Sequence, residues 1–434
     1  MRFPKFILAT AVLCAFICLF GCGDDGTVNL GGKNTSTMKT AKDVAEIRQK
    51  AWFEVSAEEK KDKTRVLEIR DKKIDFGEVS MKYELTVKGE PDPNGYPCYI
   101  ALHGGGESDT PDINNQQWEH MQIYYLDSVE NGVYVAPRGV RDTCDCHSNP
   151  ESFPCYERLL ENLFLYYNVD PNRVYMLGYS AGGDGTVLVT PVMADRFAAS
   201  NSSASYTAER NYTNLYNMPI QIQGGENDSA YNRNILLAKC VTIFEDLKKE
   251  YGGGYESRFY LHFAKGHAFV DRDPERTEQA VLADPILWLN DANRDFTMAN
   301  TNAVDFLDQY VRYPYPRKIV WDLGYRQPLQ EVESFYWLKA DKDANSGIVV
   351  FSMDKTENLI TVERLDTDKP ITVLLNEEML DLFKPITIDV LGTKYKITVD
   401  LSEQLVYETL RERLDPNYSF CASITVTKDG VIMN

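Results

Sequence analysis

The stretch Val174-Tyr175-Met176-Leu177-Gly178-Tyr179-Ser180-Ala181-Gly182-Gly183-Asp184-Gly185 decides how the chain reads. Four apolar residues in a row predict a short strand buried on both faces. The strand runs into Gly178-Tyr179-Ser180-Ala181-Gly182, a G-x-S-x-G pentapeptide, and an apolar helical run follows from Thr186. Between a strand and a helix this motif is a nucleophile elbow. Its two glycines permit a turn too tight for side chains, and the serine hydroxyl stands clear of the backbone. The helix behind it points amide N–H groups and the positive end of its dipole at the same spot. The bland alternative is a Gly-rich loop; the strand ahead of the motif and its partners elsewhere favour the elbow.

On either side, expected strands alternate with expected helices. The strands are Met81–Val87, Cys98–Leu102, Val133–Ala136, Pro219–Gln223 and Arg258–Phe263, with Arg65–Arg70 as a further one. The helices are Ala41–Lys60, Gln116–Glu130, Tyr156–Tyr167 and Ala230–Tyr251, the last stopped by Gly252-Gly253-Gly254. This spacing predicts an α/β fold, a mostly parallel sheet with helices on both faces. Tyr313-Pro314-Tyr315-Pro316 reads as a stiff linker. Beyond it short strands dominate: Ile348–Phe351, Leu359–Val362, Ile371–Leu375, Ile386–Val390, Lys394–Val399 and Ala422–Val426, interrupted by a helix at Glu403–Arg413. They predict a separate β-rich domain of sandwich or barrel size.

The N-terminus carries an address. Arg2 and Lys5 precede the apolar run Phe6–Phe20, short for a membrane span and fitting a secretory signal. The run ends Leu19-Phe20-Gly21-Cys22 before the polar Gly23-Asp24-Asp25, which resembles a bacterial lipobox. That likeness implies acylation of Cys22 and a lipid anchor in the cell envelope; a soluble exported form is the alternative. The expected organisation is a signal peptide at 1–21, a flexible tether at 22–45, a catalytic domain at 46–312 and a β-rich accessory domain at 313–434. A hydrophobic content of 43% excludes a disordered chain, and a formal net charge of -19 gives no support for nucleic-acid binding.

Ser180 alone is a poor nucleophile and needs a base, an orienting carboxylate and oxyanion donors. In an elbow fold these follow in the order Ser, Asp or Glu, His, each on a loop leaving the carboxyl end of a strand. Of the five histidines, His103, His120 and His147 precede the elbow, and His262 and His267 follow it. His262 lies inside an expected strand and reads as structural. His267, after Lys265-Gly266 on a loop, reads as the base. Asp228 is the expected acid, on the loop after Pro219–Gln223, with Glu226 the nearest competitor and Asp184 and Asp195 more distant ones. Leu102-His103-Gly104-Gly105-Gly106 ends a strand in H-G-G-G. Its glycines let backbone N–H groups approach a substrate, so Gly105 or Gly106 should supply one oxyanion donor and Ala181 the second. Losing one such donor costs on the order of 3 kcal/mol. His103 should shape this loop and line the substrate site.

Cys144-Asp145-Cys146-His147 lacks the usual gap of a metal site and has no second ligand pair. No metal or cofactor is expected. A disulfide from Cys155 to Cys144 or Cys146 suits an oxidising compartment. The pairing of Cys98, Cys240 and Cys421 stays open.

The segments His103–Gly106, Asp170–Tyr175 running into Gly178–Gly185, Gly225–Asn234 and Gly266-His267 resemble the α/β-hydrolase superfamily. They are most similar to its secreted bacterial esterases, the group with feruloyl and acetylxylan esterases and polyhydroxyalkanoate depolymerases. The likeness covers about residues 60–312. It implies a carboxylic-ester hydrolase with Ser180 as nucleophile, Asp228 as acid and His267 as base, acting on short or aromatic acyl groups of a carbohydrate or polymer. H-G-G-G in place of a cysteine-bearing loop and the extra glycines of Gly182–Gly185 depart from that pattern. Two other readings stand beside it: a serine peptidase of the oligopeptidase type, and a non-catalytic surface-binding lipoprotein on a hydrolase scaffold.

The gaps after Arg138 and after the elbow helix are too short for a large apolar lid. An open cleft flanked by Arg138, His147 and Tyr179 is expected, suited to short acyl groups. In a chain-length series of esters, activity should peak at acetyl to butyryl; activity rising through long chains with activation at a lipid interface contradicts the open cleft.

Overall fold

The computed structural model describes residues 21–22, 28–30, 36–107, 110–207, 210–262, 264–270, 275–279, 297–329 and 333–433. Residues 1–20, which hold nearly all of the expected signal peptide, lie outside them. A two-residue strand β1 (Gly21–Cys22) pairs with β2 (Val28–Leu30). Helix α1 (Ala41–Glu59) opens on a reciprocal cap in which Thr40 and Asp43 side chains each accept the other's backbone N–H. Helix α2 (Lys63–Asp71) replaces the strand expected at Arg65–Arg70. Its alternation misleads because the burial is inverted. Arg65 and Glu68 face inward to Glu161, Arg158 and Asn162, while Val66 and Leu67 face solvent.

Ten strands follow in one sheet: β3 (Lys73–Phe76), β4 (Val79–Lys88), β5 (Tyr96–Leu102), β6 (Gly132–Pro137), β7 (Val169–Tyr179), β8 (Ala199–Ser203), β9 (Ile220–Gly225), β10 (Ser257–His262), β11 (Glu275–Gln279) and β12 (Thr297–Ala299). Their order is β12-β11-β10-β9-β8-β7-β5-β6-β4-β3. The six strands from β10 to β6 are mutually parallel, and β4, β3, β11 and β12 add antiparallel edges. Alternation decides which face each residue takes. Ile100, Leu102, Val174 and Met176 join one buried cluster under α4 (Ser152–Tyr166), α5 (Ala181–Val192) and α6 (Arg233–Tyr251). Tyr99, Ala101, Tyr175 and Leu177 join another under α3 (Asp112–Tyr124) and α7 (Ala303–Leu307). The sheet is therefore covered on both faces.

Strand β8 has the sequence Ala-Ser-Asn-Ser-Ser and is buried throughout. Nothing in that composition signals a strand. Asn201 and Ser202 bond to neighbours instead: Asn201 Oδ1 accepts from Gln221 and Gln223, and Ser202 Oγ donates to the Gly183 carbonyl.

The remaining strands are β13 (Lys318–Asp322), β14 (Ser334–Phe335), β15 (Leu338–Ala340), β16 (Ile348–Asp354), β17 (Leu359–Leu365), β18 (Ile371–Leu375), β19 (Ile386–Val390), β20 (Thr393–Ile397), β21 (Ala422–Thr427) and β22 (Gly430–Met433), with α8 (Glu403–Arg413) before the last two. They form one sheet in the order β1-β2-β20-β19-β17-β16-β13 and an antiparallel one in the order β14-β15-β18-β21-β22. Trp337 touches Phe351 across them, and both sheets feed the cluster that also lies beneath α4 and α6.

Two boundaries differ from expectation. The stretch 22–45 is not all tether, since β2 pairs with β20 and α1 begins within it. Arg48 of α1 bonds Glu377, Glu378 and Tyr315. The Tyr313–Pro316 segment is no spacer: Tyr315 is buried, and its hydroxyl donates to the Asn417 carbonyl at 2.5 Å. Cys98, Cys144, Cys146, Cys155, Cys240 and Cys421 are all unpaired. The expected bridge to Cys155 is not formed: Cys144 is exposed, and Cys146 and Cys155 are buried as free thiols. Among the described residues no helix is long and apolar enough to cross a membrane.

A buried ionic cluster ties the C-terminal sheets to the first one. Arg312 Nη2 lies 2.7 Å from Asp415 Oδ2, Arg413 Nη1 lies 2.9 Å from Asp195 Oδ2, and Arg196 Nε lies 3.0 Å from Glu157 Oε2. Burial pushes the Asp415 carboxyl up, but Arg312 and Arg196 outweigh it and hold the group below its ordinary value. Asp415→Ala should strand two buried cations and cost about 3–5 kcal/mol in chemical denaturation. Because the native group is held low, its contribution is present above the ordinary aspartate range and lost on further acidification.

Candidate active site

Strand β7 ends at Tyr179, and Ser180 sits between it and α5 with φ 57° and ψ -120°. That conformation is sparsely populated for a residue with a side chain and costs about 1–3 kcal/mol. Neighbouring glycines make room for it. A Cβ on Gly178 would lie 2.2 Å from the Gly182 carbonyl oxygen, and one on Gly182 would lie 2.0 Å from the Leu102 carbonyl oxygen. The Ser180 N–H donates to the Ser203 carbonyl at 2.9 Å, so the unpredicted strand β8 fastens the turn.

The loops after β9 and β10 bring two more side chains to the serine. His267 Nε2 lies 2.9 Å from Ser180 Oγ, and His267 Nδ1 lies 2.7 Å from Asp228 Oδ2. Asp228 follows the second strand beyond the elbow, not the next one, because β8 intervenes. It is buried, and Arg233 Nη1 stands 3.7 Å from its other oxygen. Glu226, the competitor, accepts from the Ala264 N–H at 2.8 Å and braces the loop that carries the histidine. Asp195 belongs to the ionic cluster, and Asp184 accepts from the Tyr206 N–H at 2.5 Å. Burial raises the Asp184 carboxyl.

The glycine loop after β5 is held from behind. Asn114 of α3 bonds both backbone groups of Gly106: Oδ1 accepts its N–H and Nδ2 donates to its carbonyl, each at 2.9 Å. Gly106 N–H is thus engaged and is not a free donor. Among the described residues, the N–H groups of Gly105 and Ala181 donate to no protein acceptor. Asn114 was missed from sequence, since one asparagine on a surface-like helix carries no signal.

His103 and His147 are buried beneath this loop and do not line the cleft. His103 Nε2 accepts from the Gly139 N–H at 3.0 Å, which leaves its proton on Nδ1, facing the Gly104 carbonyl. His147 Nε2 faces the His103 carbonyl at 2.9 Å, and its Nδ1 faces the Tyr156 hydroxyl. Arg138 is likewise turned inward, to Asp142, Asn115 and the Gly139 carbonyl. Of the three expected flanking residues only Tyr179 borders the cleft. Its hydroxyl donates to the His267 carbonyl at 2.8 Å and accepts from the Phe269 N–H at 3.0 Å, so it holds the histidine loop. His262 is buried against Gln223 and Phe269, in keeping with a structural role.

His103, Cys146 and His147 lie close enough to share an ion. Every imidazole nitrogen of the pair already faces a protein group, and burial pushes the Cys146 thiol up to about 12. Metal binding here would break the bonds that shape the loop, so the trio fits a neutral scaffold.

Ser180, Ala181, Gly105 and His267 open onto one cleft of about 1040 Å³, also lined by Tyr206, Arg210, Tyr231 and Arg233. The parallel sheet, the strained serine on a strand-to-helix turn and its histidine and aspartate partners define the α/β-hydrolase fold.

No family model matches the chain, and no curated protein is found similar to it. Among solved structures, a thermostable esterase aligns with 19% identity over 55% of this chain and 62% of its own, at a TM-score of 0.38. A ferulic acid esterase from Anaeromyces mucronatus aligns with 14% identity over 46% of this chain and 84% of its own, at 0.29. A putative dipeptidyl aminopeptidase IV from Bacteroides ovatus aligns with 14% identity over 46% of this chain and 32% of its own, at 0.33. The chain thus spans less than two thirds of the esterase named first.

Burial holds the His103 imidazole down to about 4 and His147 well below its ordinary value. Unfolded histidine binds protons at higher pH than either, so stability should fall as pH drops below about 6.5. Imidazole nitrogen NMR should find both rings neutral at pH 5, with the Nδ1 proton on His103; a charged ring at that pH contradicts the scaffold.

Proposed function

We propose that the protein is an exported serine hydrolase of carboxylic esters working through an acyl-enzyme. The observation that carries this is the relay Ser180 Oγ, His267 Nε2, His267 Nδ1, Asp228 Oδ2, with gaps of 2.9 and 2.7 Å. Ser180 attacks the ester carbonyl as His267 takes its proton. Asp228 keeps the imidazole in the tautomer that presents a bare Nε2 and stabilises the imidazolium. The Gly105 and Ala181 N–H groups receive the oxyanion, in a site where donors fixed in advance need no reorganisation. His267 then protonates the leaving alcohol, and water repeats the steps on the acyl-enzyme. The open cleft beside Ser180 favours short or aromatic acyl groups on a carbohydrate or polymer. The signal-like N-terminus and Cys22 support export and a lipid anchor in the cell envelope.

Ser180→Ala should lower turnover of a chromogenic acetyl ester roughly a million-fold without changing the fold. A serine-directed phosphonate should label Ser180 alone. Preference for an aminoacyl amide over the ester would replace this reading with a peptidase. Asp228→Asn should lower kcat about 10⁴-fold by trapping the wrong tautomer. Glu226→Gln should change it only a few-fold, since an amide oxygen also accepts the Ala264 N–H.

A further inference from the structure

The cleft contains two cations that the relay does not consume. Arg210 lies over the Tyr206 ring at 5.6 Å and Arg233 over the Tyr231 ring at 4.9 Å. Both guanidinium groups line the same cavity as Ser180. Each has a buried Nε with no hydrogen-bond partner. Among the described residues Arg210 has no carboxylate within ion-pair distance; its one bond is a long one, 3.5 Å, from Nη2 to the Tyr206 carbonyl. Arg233 reaches only the Ala230 carbonyl at 3.4 Å and Asp228 Oδ1 at 3.7 Å.

Buried N–H donors are ordinarily paired, and unpaired ones ask for a partner the protein does not supply. The two terminal nitrogens of a guanidinium form a planar fork matched to the two oxygens of a carboxylate. Stacking on tyrosine fixes the plane of each fork before anything binds. The setting sharpens the point. In a chain of net charge -19, Arg210 and Arg233 are the two arginines of a cleft that Glu107, Asp145 and Asp184 also line, so an anion would be drawn to the guanidinium end and not to the cleft at large. Burial raises the Asp184 carboxyl, while Arg233 and Arg210 act to lower it.

We propose that Arg210 and Arg233 form a carboxylate subsite, and that the preferred substrate is an ester bearing a free carboxylate on its acyl or alcohol part. The subsite rests on the esterase reading for its place in catalysis, but binding to it can be measured without turnover.

Ser180→Ala protein, unable to turn over, is titrated by calorimetry with three probes: monoethyl glutarate, 4-acetoxybenzoate and the neutral ethyl butyrate. At least one anionic probe should bind tenfold or more tightly than the neutral one, with the advantage shrinking at high salt. Adding Arg210→Gln should reduce that advantage at least fivefold, and Arg233→Gln should do the same. Equal affinities for all three probes, or an advantage that survives both arginine changes, overturns the subsite. Hydrolysis is read separately in the Ser180 protein with the neutral and anionic nitrophenyl esters. Failure to cleave either one defeats the esterase reading and leaves the binding result to stand alone.

Discussion

The structure depends on a single strained residue. Ser180 is held at φ 57° and ψ -120°, and nothing within the turn itself favours that conformation. Three elements impose it together. β5 brings the Leu102 carbonyl against Gly182, β8 brings the Ser203 carbonyl to the Ser180 N–H, and α5 starts at once at Ala181. The first of these contacts demands that a side chain be missing, so Gly182 is dictated by its neighbour's backbone. Gly183 and Gly185 follow the same logic: a Cβ on either would collide with Ser203 or His147. The extra glycines of the motif therefore describe packing around the turn and say little about substrate.

Behind Ser180, the Gly104–Gly106 loop is held by side chains whose polar atoms are nearly all spent on backbone groups. Asn114 occupies both groups of Gly106, His103 joins Gly104 to Gly139, and His147 holds the carbonyl of His103. Such a buried network is rigid when complete and costly when broken. It occupies Gly106, while Gly105 borders the cleft. Tyr179, just before Ser180, does the matching work on the other side by bonding the His267 carbonyl and the Phe269 N–H of the histidine loop.

The C-terminal sheets are fastened to this machinery through charge as well as apolar area. Arg196 and Asp195 stand just after α5, while Arg413 and Asp415 stand at the end of α8. Their ion pairs cross the junction in a place where water is excluded. Removing one partner leaves another charge buried and unpaired, which is why such clusters resist piecemeal change.

By itself the sequence determined the parts whose signal is local. Gly178–Gly182 announced the elbow, the strand-loop alternation pointed to Asp228 and His267, and period-two hydrophobicity marked most strands of both regions. The tertiary structure decided whatever depends on distant partners. Strand β8 exists because polar residues there find polar neighbours across the sheet, and α2 is a helix because charged residues face in. His103, His147 and Arg138 carry the chemistry of binding groups, yet burial turns them into a scaffold. Asn114 and the Arg210–Arg233 pair gain their meaning only from what lies beside them. Local pattern fixes which groups the chain offers, and folding fixes which of them find partners within the protein.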